Sequence, residues 1–257
     1  MIHQNFASQC NVDMSYVTQD VLLEDFPTAL KTFRVQGGKG ANITVPLKKL
    51  AYTLCQKTSQ TADVAQAVNT LYWDEHKILC GDNTDGVGLV CDLQNAHHQV
   101  IQHKNILIVG AGGAAAGILP ALLAENPDNI YLTNRTHHRA IALAEQFNIP
   151  KIQVLSVEQL HQNSSTLSFD IIINATSASL YNELLPIDPI IIKNKIVYDV
   201  VYNVKHPTIF VQWAQKHGAK AVFDGLGMLI EQAAHAFDIW HHQKPDTRLV
   251  RELLQKK

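Results

Sequence analysis

Lys104-Asn-Ile-Leu-Ile-Val-Gly-Ala-Gly-Gly-Ala-Ala-Ala-Gly117 is the stretch on which the fold turns. Ile106 to Val109 is a continuous apolar run of strand length, Gly110 to Gly113 a tight turn, and the alanine- and leucine-rich segment to about Ala124 a helix. Strand, glycine turn and helix in that order, spaced G-x-G-x-x-A, form an anion cradle. Gly110 allows the sharp turn and Gly112 lets the backbone approach a pyrophosphate. Ala111 and Gly113 complete the turn, and small Ala114 and Ala115 allow close packing while the helix N-terminal N–H groups face the anion.

A glycine turn before a helix also serves as a plain packing device, so the next strand matters. After Asn129 to Thr133, where an acidic residue would bind a ribose 2′-hydroxyl, the chain carries Asn134, Arg135, Thr136 and, one turn on, Arg139. Two guanidinium forks there suit a 2′-phosphate through paired, charge-assisted hydrogen bonds, which predicts NADP rather than NAD. The competing reading of these arginines is a solvated helix face.

Outward from this unit the pattern is regular. Apolar strands near 106–109, 130–133, 152–155, 170–174, 195–200 and 220–223 are mostly separated by helical or loop segments, which predicts a parallel sheet with helices on both faces. Ligands then collect at the carboxyl ends of the strands, where Asn174-Ala-Thr-Ser177 and Asp199-Val-Val-Tyr202 fall. A helix over Leu229 to His241 repeats apolar residues at helical spacing, with Gln232 and His235 breaking that face, and 246–257 reads as a terminal amphipathic helix.

The first third follows another plan. Met1 to Phe6 reads as a helix already under way, Tyr16 to Leu22 as a short strand, Phe26 to Phe33 as a helix, and Ala41 to Val45 as a strand. Pro46 opens a helix over Leu47 to Cys55 that carries Lys48 on its first turn. A cation gains nothing from the positive end of a helix, so Lys48 has another reason to be there. Ala67 to Trp73 and Lys77 to Cys80 read as a hairpin around Asp74-Glu75-His76, followed by the polar loop Gly81-Asp-Asn-Thr-Asp-Gly86 and a helix over Val87 to Leu93. That loop either carries catalytic groups or caps the helix through Thr84 or Asp85. The fold class is therefore α/β with two domains: an α/β substrate domain from residues 1–85 plus 226–257, and a Rossmann-type NADP-binding domain from 86–225.

Bulk properties narrow the partners. With 257 residues, 46% hydrophobic and 17% charged, the chain has an ordinary globular composition, and a net charge of −2 leaves no electrostatic footprint for nucleic acid or an anionic membrane. A small-molecule ligand is expected. The four cysteines form no C-x-x-C pair, and no signal peptide or spanning apolar run is present, which points to the cytoplasm. The thirteen histidines lack metal-ligand spacing and read as surface residues with no metal site.

Taken together, Gly38-Lys-Gly-Ala-Asn-Ile-Thr-Val-Pro46, Ala67-Val-Asn-Thr70, Gly81-Asp-Asn-Thr-Asp-Gly-Val-Gly88, Gly110-Ala-Gly-Gly-Ala114, Asn134-Arg-Thr136, Ile173-Asn-Ala-Thr176 and Asp224-Gly-Leu-Gly-Met228 closely resemble the shikimate dehydrogenase family over nearly the whole chain. The resemblance implies NADPH-dependent reduction of 3-dehydroshikimate to shikimate, on the route to chorismate and the aromatic amino acids. It implies Lys48 and Asp85 as an acid/base pair, and Thr44, Lys48, Asn69, Asp85, Tyr202 and Gln232 around the substrate. On the cofactor side it adds Val200 and Gly225; Gln60 stands where some relatives carry an acidic cofactor-contacting residue. A monomer or homodimer is expected. Family members also open with a strand, central in the substrate-domain sheet, and a Ser-x-Ser-Pro motif whose two serines hold the substrate carboxylate, and neither precedes Ile2-His3 here. The expectation is a start-truncated version of a longer enzyme that binds NADP better than shikimate. A non-catalytic sensor of cofactor or substrate, or an enzyme acting on quinate, are the competing readings.

Overall fold

The computed structural model describes residues 1–255 apart from 165, 185 and 186. The chain runs α1 (Ile2–Gln9), α2 (Phe26–Val35), β1 (Gly40–Asn42), α3 (Lys48–Leu54), β2 (Lys57–Thr58), α4 (Gln60–Ala65), β3 (Thr70–Trp73), β4 (Leu79–Asp82) and α5 (Asp85–Cys91), which continues into a π-helical turn over Asp92–Ala96. Then come β5 (Asn105–Val109), α6 (Gly113–Ala124), β6 (Asn129–Thr133), α7 (His137–Phe147), β7 (Ile152–Val154), α8 (Val157–Gln162), β8 (Ile171–Asn174), β9 (Ile196–Asp199), α9 (Ile209–Lys216), β10 (Ala221–Phe223), α10 (Leu226–His241) and α11 (Thr247–Gln255).

The later strands form one parallel sheet in the order β10-β9-β8-β5-β6-β7. The order reverses between β5 and β8, and such a switch point is where a crevice opens beyond the strand ends. Register aligns the crevice floor: Val109 lies opposite both Thr133 and Asn174, and Asn174 opposite Asp199. Ile106 to Val109 are all buried, as a sheet covered on both faces requires, and only their packing partners alternate. Ile106 and Ile108 pack with α6 residues Ile118 and Leu119, while Leu107 and Val109 pack on the other face with Phe169, Ile192 and Phe210. The Rossmann expectation holds here strand for strand, with edges shifted by a residue or two.

The first third builds a four-stranded sheet, β1-β3-β4-β2, antiparallel except for the β2–β4 pair. Phe26, Leu30, Ile43, Ala51, Val68 and Leu71 form its core. The last helices return to this part of the chain: Trp240 Nε1 on α10 donates to Leu71 O at 3.1 Å, and Phe237 packs edge-on against Phe6 of α1.

Three expectations change. Tyr16 to Leu22 is not a strand, because no neighbouring strand offers it a ladder; among the described residues the outer edge of β1 is likewise unpaired. Tyr16 instead turns inward and donates from its hydroxyl to Asn42 Oδ1 at 2.9 Å. His3 is not a surface histidine but 5% exposed, stacked on Tyr16 at 4.3 Å between ring centroids. Residues 81–86 are not one loop: Gly81 and Asp82 belong to β4, and Asp85 is the first residue of α5. The short α4 was unforeseen, although Ser59 caps it by accepting from Ala62 N at 3.2 Å.

Candidate active site

Lys48 is the first residue of α3, and its carbonyl accepts from Val68 N at 3.0 Å, which ties the helix start to the segment entering β3. Asp85 is the first residue of α5, where a carboxylate is favoured by the helix dipole. Asn83 fixes the turn before it, accepting from Asp85 N at 3.1 Å and donating to Ala67 O at 3.0 Å. The two elements bring Lys48 Nζ to 2.5 Å from Asp85 Oδ2, with side chains 17% and 8% exposed. So little water leaves the pair weakly screened, and the ammonium is held at one point.

Asn69 and Gln232 join them. Asn69 Nδ2 donates to Asp85 Oδ1 at 2.8 Å and lies 3.3 Å from Gln232 Oε1. The capping alternative is not realised, since Thr84 makes no side-chain cap to α5; its hydroxyl faces Asn69 and Gln232 at 3.0 and 3.3 Å. Thr44 is exposed in the link from β1 to α3, where its carbonyl accepts from Leu47 N. Tyr202 is 38% exposed and lines a cavity of about 500 Å³ with Ser179, Asn203 and His206 beyond the end of β9. Neither Thr44 nor Tyr202 has a side-chain hydrogen bond to the Lys48 cluster.

The cluster touches the nucleotide unit. A Cβ on Gly117, one turn inside α6, would stand 3.1 Å from both Asp85 Oδ2 and Asn83 Oδ1, and one on Gly86 would stand 2.7 Å from Gly117 O. Helices α5 and α6 therefore cross glycine on glycine, with the carboxylate laid against the helix that follows the glycine turn.

The turn fits a dinucleotide. Gly110 adopts φ +122, a conformation that favours glycine, and a side chain there would strike Ala175 O at 2.9 Å. Nothing lies within 4 Å of where a Cβ on Gly112 or Gly113 would sit, so the space over the N-terminus of α6 is open. That helix has no side-chain cap, and neither has α7, which starts after Thr136. Asn134 Nδ2 donates to Thr136 O at 2.9 Å and shapes the link, while Arg135 and Arg139 are exposed with no ion-pair partner among the described residues. An uncapped helix start with unpaired guanidinium groups in the adjoining sequence has the chemistry that anion binding requires. Gly225 has a packing reason to be glycine, since a Cβ would lie 2.1 Å from Val200 O.

Two buried carboxylates were not assigned roles by sequence reasoning. Asp199, fully buried, accepts from Asn174 Nδ2, Ser179 Oγ and Thr208 Oγ1 at 2.9, 2.7 and 2.6 Å. Burial pushes its carboxyl above the usual range although these donors oppose it. It thereby braces the two loops at the carboxyl ends of β8 and β9. Asp92, also fully buried, accepts from Tyr198 at 2.7 Å, with Arg251 Nη1 2.7 Å from its other oxygen. Burial alone would raise Asp92; its contacts to His97, Tyr198 and Arg251 outweigh that and hold it below the usual range. Neither residue sits in a motif with a recognisable spacing, and only the fold brings their partners together.

Comparison with known proteins gives the same assignment. Residues 1–71 match the shikimate dehydrogenase substrate binding domain, residues 92–215 the shikimate / quinate 5-dehydrogenase family, and residues 225–255 the shikimate 5'-dehydrogenase C-terminal domain. The chain belongs to the shikimate dehydrogenase family. A shikimate dehydrogenase (NADP(+)) of Aeromonas salmonicida is 44% identical over 98% of this chain and 91% of its own length. Another, from Alcanivorax borkumensis, is 44% identical over 96% of this chain and 87% of its own. Among solved structures, an Ael1 enzyme from Pseudomonas putida superposes with a TM-score of 0.91 at 35% identity, covering 98% of this chain and 92% of that one. The Thermus thermophilus shikimate 5-dehydrogenase, solved with NADP(H) and shikimate, superposes at 0.85 and 29% identity over 99% and 92%. Among the described residues no group of three or more His, Cys, Asp or Glu side chains could hold a metal ion, and no helix is long and apolar enough to cross a membrane.

Proposed function

We propose that this protein catalyses the reversible NADPH-dependent reduction of 3-dehydroshikimate to shikimate, serving chorismate and aromatic amino acid synthesis. The observation that carries the reading is the Lys48–Asp85 ion pair lying against Gly117, one helical turn from the open glycine cradle. Residues 1–85 with 226–257 serve as the substrate domain and 86–225 as the cofactor domain. Gly110, Ala111, Gly112, Gly113 and Ala114 hold the pyrophosphate, and Asn134, Arg135, Thr136 and Arg139 the 2′-phosphate. Val200 and Gly225 lie at the nicotinamide end. NADPH held there supplies the hydride.

Reduction of a ketone leaves a developing alkoxide, which needs a proton donor within hydrogen-bond reach. Lys48 Nζ is that donor, and Asp85 Oδ2 fixes its position and stabilises its charge. In the oxidation direction the same pair accepts the hydroxyl proton. Asn69, Thr44, Gln232 and Tyr202 orient the substrate's hydroxyl groups. The four cysteines are free thiols, consistent with a cytoplasmic enzyme, working as a monomer or homodimer.

The test is NADP-dependent oxidation of shikimate, with quinate compared, by this chain and by Lys48→Ala. Turnover with shikimate, lost in the variant while NADP binding persists, is the expected result. Cofactor binding with no turnover of either ring acid by the unaltered chain would overturn it.

A further inference from the structure

Resting on that reading of Lys48 and Asp85, we infer that Thr70 is a positioning residue for the pair, the middle link of a one-way hydrogen-bond chain that runs from Tyr16 through Asn42 and Asn69 to the Asp85 carboxylate.

The direction of each link follows from the partners. Asn42 Nδ2 lies 3.5 Å from Asn69 O and 3.4 Å from Thr70 Oγ1. A backbone carbonyl only accepts, so the amide must present its NH₂ on that side and its oxygen on the other. Asn42 Oδ1 then accepts from Tyr16 OH at 2.9 Å and from His3 Nε2 at 2.8 Å. This sets His3 as the tautomer with its proton on Nε2. His3 Nδ1, which is buried with no partner, is left as a bare lone pair rather than an orphaned N–H.

Thr70 is fully buried. With Asn42 donating to its oxygen, its single proton has two acceptors in reach, and Asn69 Oδ1 at 2.9 Å is nearer than Thr84 Oγ1 at 3.3 Å. Asn69 Oδ1 also accepts from the backbone N–H of Thr84 at 2.9 Å. Two donors on that oxygen exclude the flipped amide, so Nδ2 must point at Asp85 Oδ1, 2.8 Å away. Asp85 Oδ1 is thereby occupied, and Oδ2 is left to Lys48. In an interior of low dielectric a fully satisfied chain of this kind fixes one orientation, and losing one link frees the rest. The Thr70 side chain bonds to Asn42, Asn69 and Thr84 and not to Lys48 or Asp85, so its influence passes through the Asn69 amide.

The experiment uses the full chain and three variants, Thr70→Val, Thr70→Ser and Tyr16→Phe. Shikimate oxidation and the rate at which an amine-reactive reagent labels Lys48, read by mass spectrometry across pH, are both measured. Thr70→Val keeps the shape and removes the proton. It is expected to lower kcat for shikimate about tenfold, with KM for NADP changed less than about twofold. Lys48 should be labelled faster, and the pH profile of labelling should move, as Asp85 loosens. Thr70→Ser should restore kcat and the labelling profile, and Tyr16→Phe, at the far end, should give a smaller change of the same sign. A valine variant with unchanged kcat and labelling overturns the inference, as does a serine variant no better than valine. If the unaltered chain oxidises neither ring acid, the functional reading fails; the labelling profiles then still decide whether Thr70 positions the pair.

Discussion

Gly117 of α6 has no side chain at the point where the Asp85 carboxylate rests, and a Cβ there would stand 3.1 Å from Asp85 Oδ2. Alanine in a helix interior is favoured over glycine by up to about 1 kcal/mol. Against that gain, the carboxylate and Asn83 must each give by a few tenths of an ångström, which shifts Asp85 away from Lys48. Gly117→Ala should therefore keep or raise the thermal midpoint while lowering kcat about tenfold, the cost of misplacing a catalytic group by a fraction of an ångström. Parallel melting curves and shikimate oxidation rates check it. A variant that is as active as the parent would show that Asp85 yields without consequence.

Arg135 and Arg139 stand exposed beyond β6 with no protein partner among the described residues, so removing either leaves no buried charge behind. Hydrogen bonds to charged groups are worth about 1.5–3 kcal/mol, so each alanine variant should raise KM for NADP by roughly tenfold or more. NAD lacks the 2′-phosphate, and its weaker use should change little. A proportional loss for both cofactors would mean that the arginines act on the fold and not on the phosphate.

The two glycine motifs should respond in opposite ways. At Gly112 a Cβ meets nothing within 4 Å, so Gly112→Ala should melt like the parent and lose NADP affinity, because the methyl enters the space above the helix start. At Gly227 a Cβ would lie 2.0 Å from Asp92 Oδ1, inside the buried cluster with Tyr198 and Arg251. Gly227→Ala should cost stability on the order of 1–3 kcal/mol, the usual range for overpacking a close-packed interior. Urea unfolding with cofactor titration separates the two effects.

Most of the candidate site was legible in sequence because its residues sit at element starts that leave marks. Pro46 announces the helix that Lys48 opens, and the polar stretch before Val87 marks the turn that presents Asp85. The parallel sheet was legible because β5, β6 and β8 bury both faces and so read as unbroken apolar runs. Tyr16 to Leu22 misled for the converse reason: its composition suits a strand, but a strand exists only beside another, and pairing is not written in the segment itself. His3 and Thr70 were illegible for a related cause. Their environments are assembled from α1, β1, β3 and α10, and no local pattern distinguishes a histidine that packs between Tyr16 and Trp240 from one facing water.

His3 gives the pH dependence. Burial holds its imidazole down to about 4 from the ordinary 6.5, against the raising effect of its bond to Asn42, with the amino terminus and His241 adding to the lowering. The folded chain therefore prefers neutral His3, and between pH 6.5 and about 4 the unfolded chain binds the extra proton. Stability rises with pH wherever the unfolded state carries more protons, so His3 contributes fully above its unfolded value and loses that contribution as pH falls towards about 4. The lowering is worth on the order of 3 kcal/mol. His3→Gln keeps a donor for Asn42 and removes the titration. The stability gap between parent and variant, measured by urea unfolding, should narrow between about pH 7.5 and about pH 4.5. A gap that stays constant across that range would mean that His3 does not take up the proton on unfolding. Its place between Tyr16 and Trp240 would then matter for packing alone.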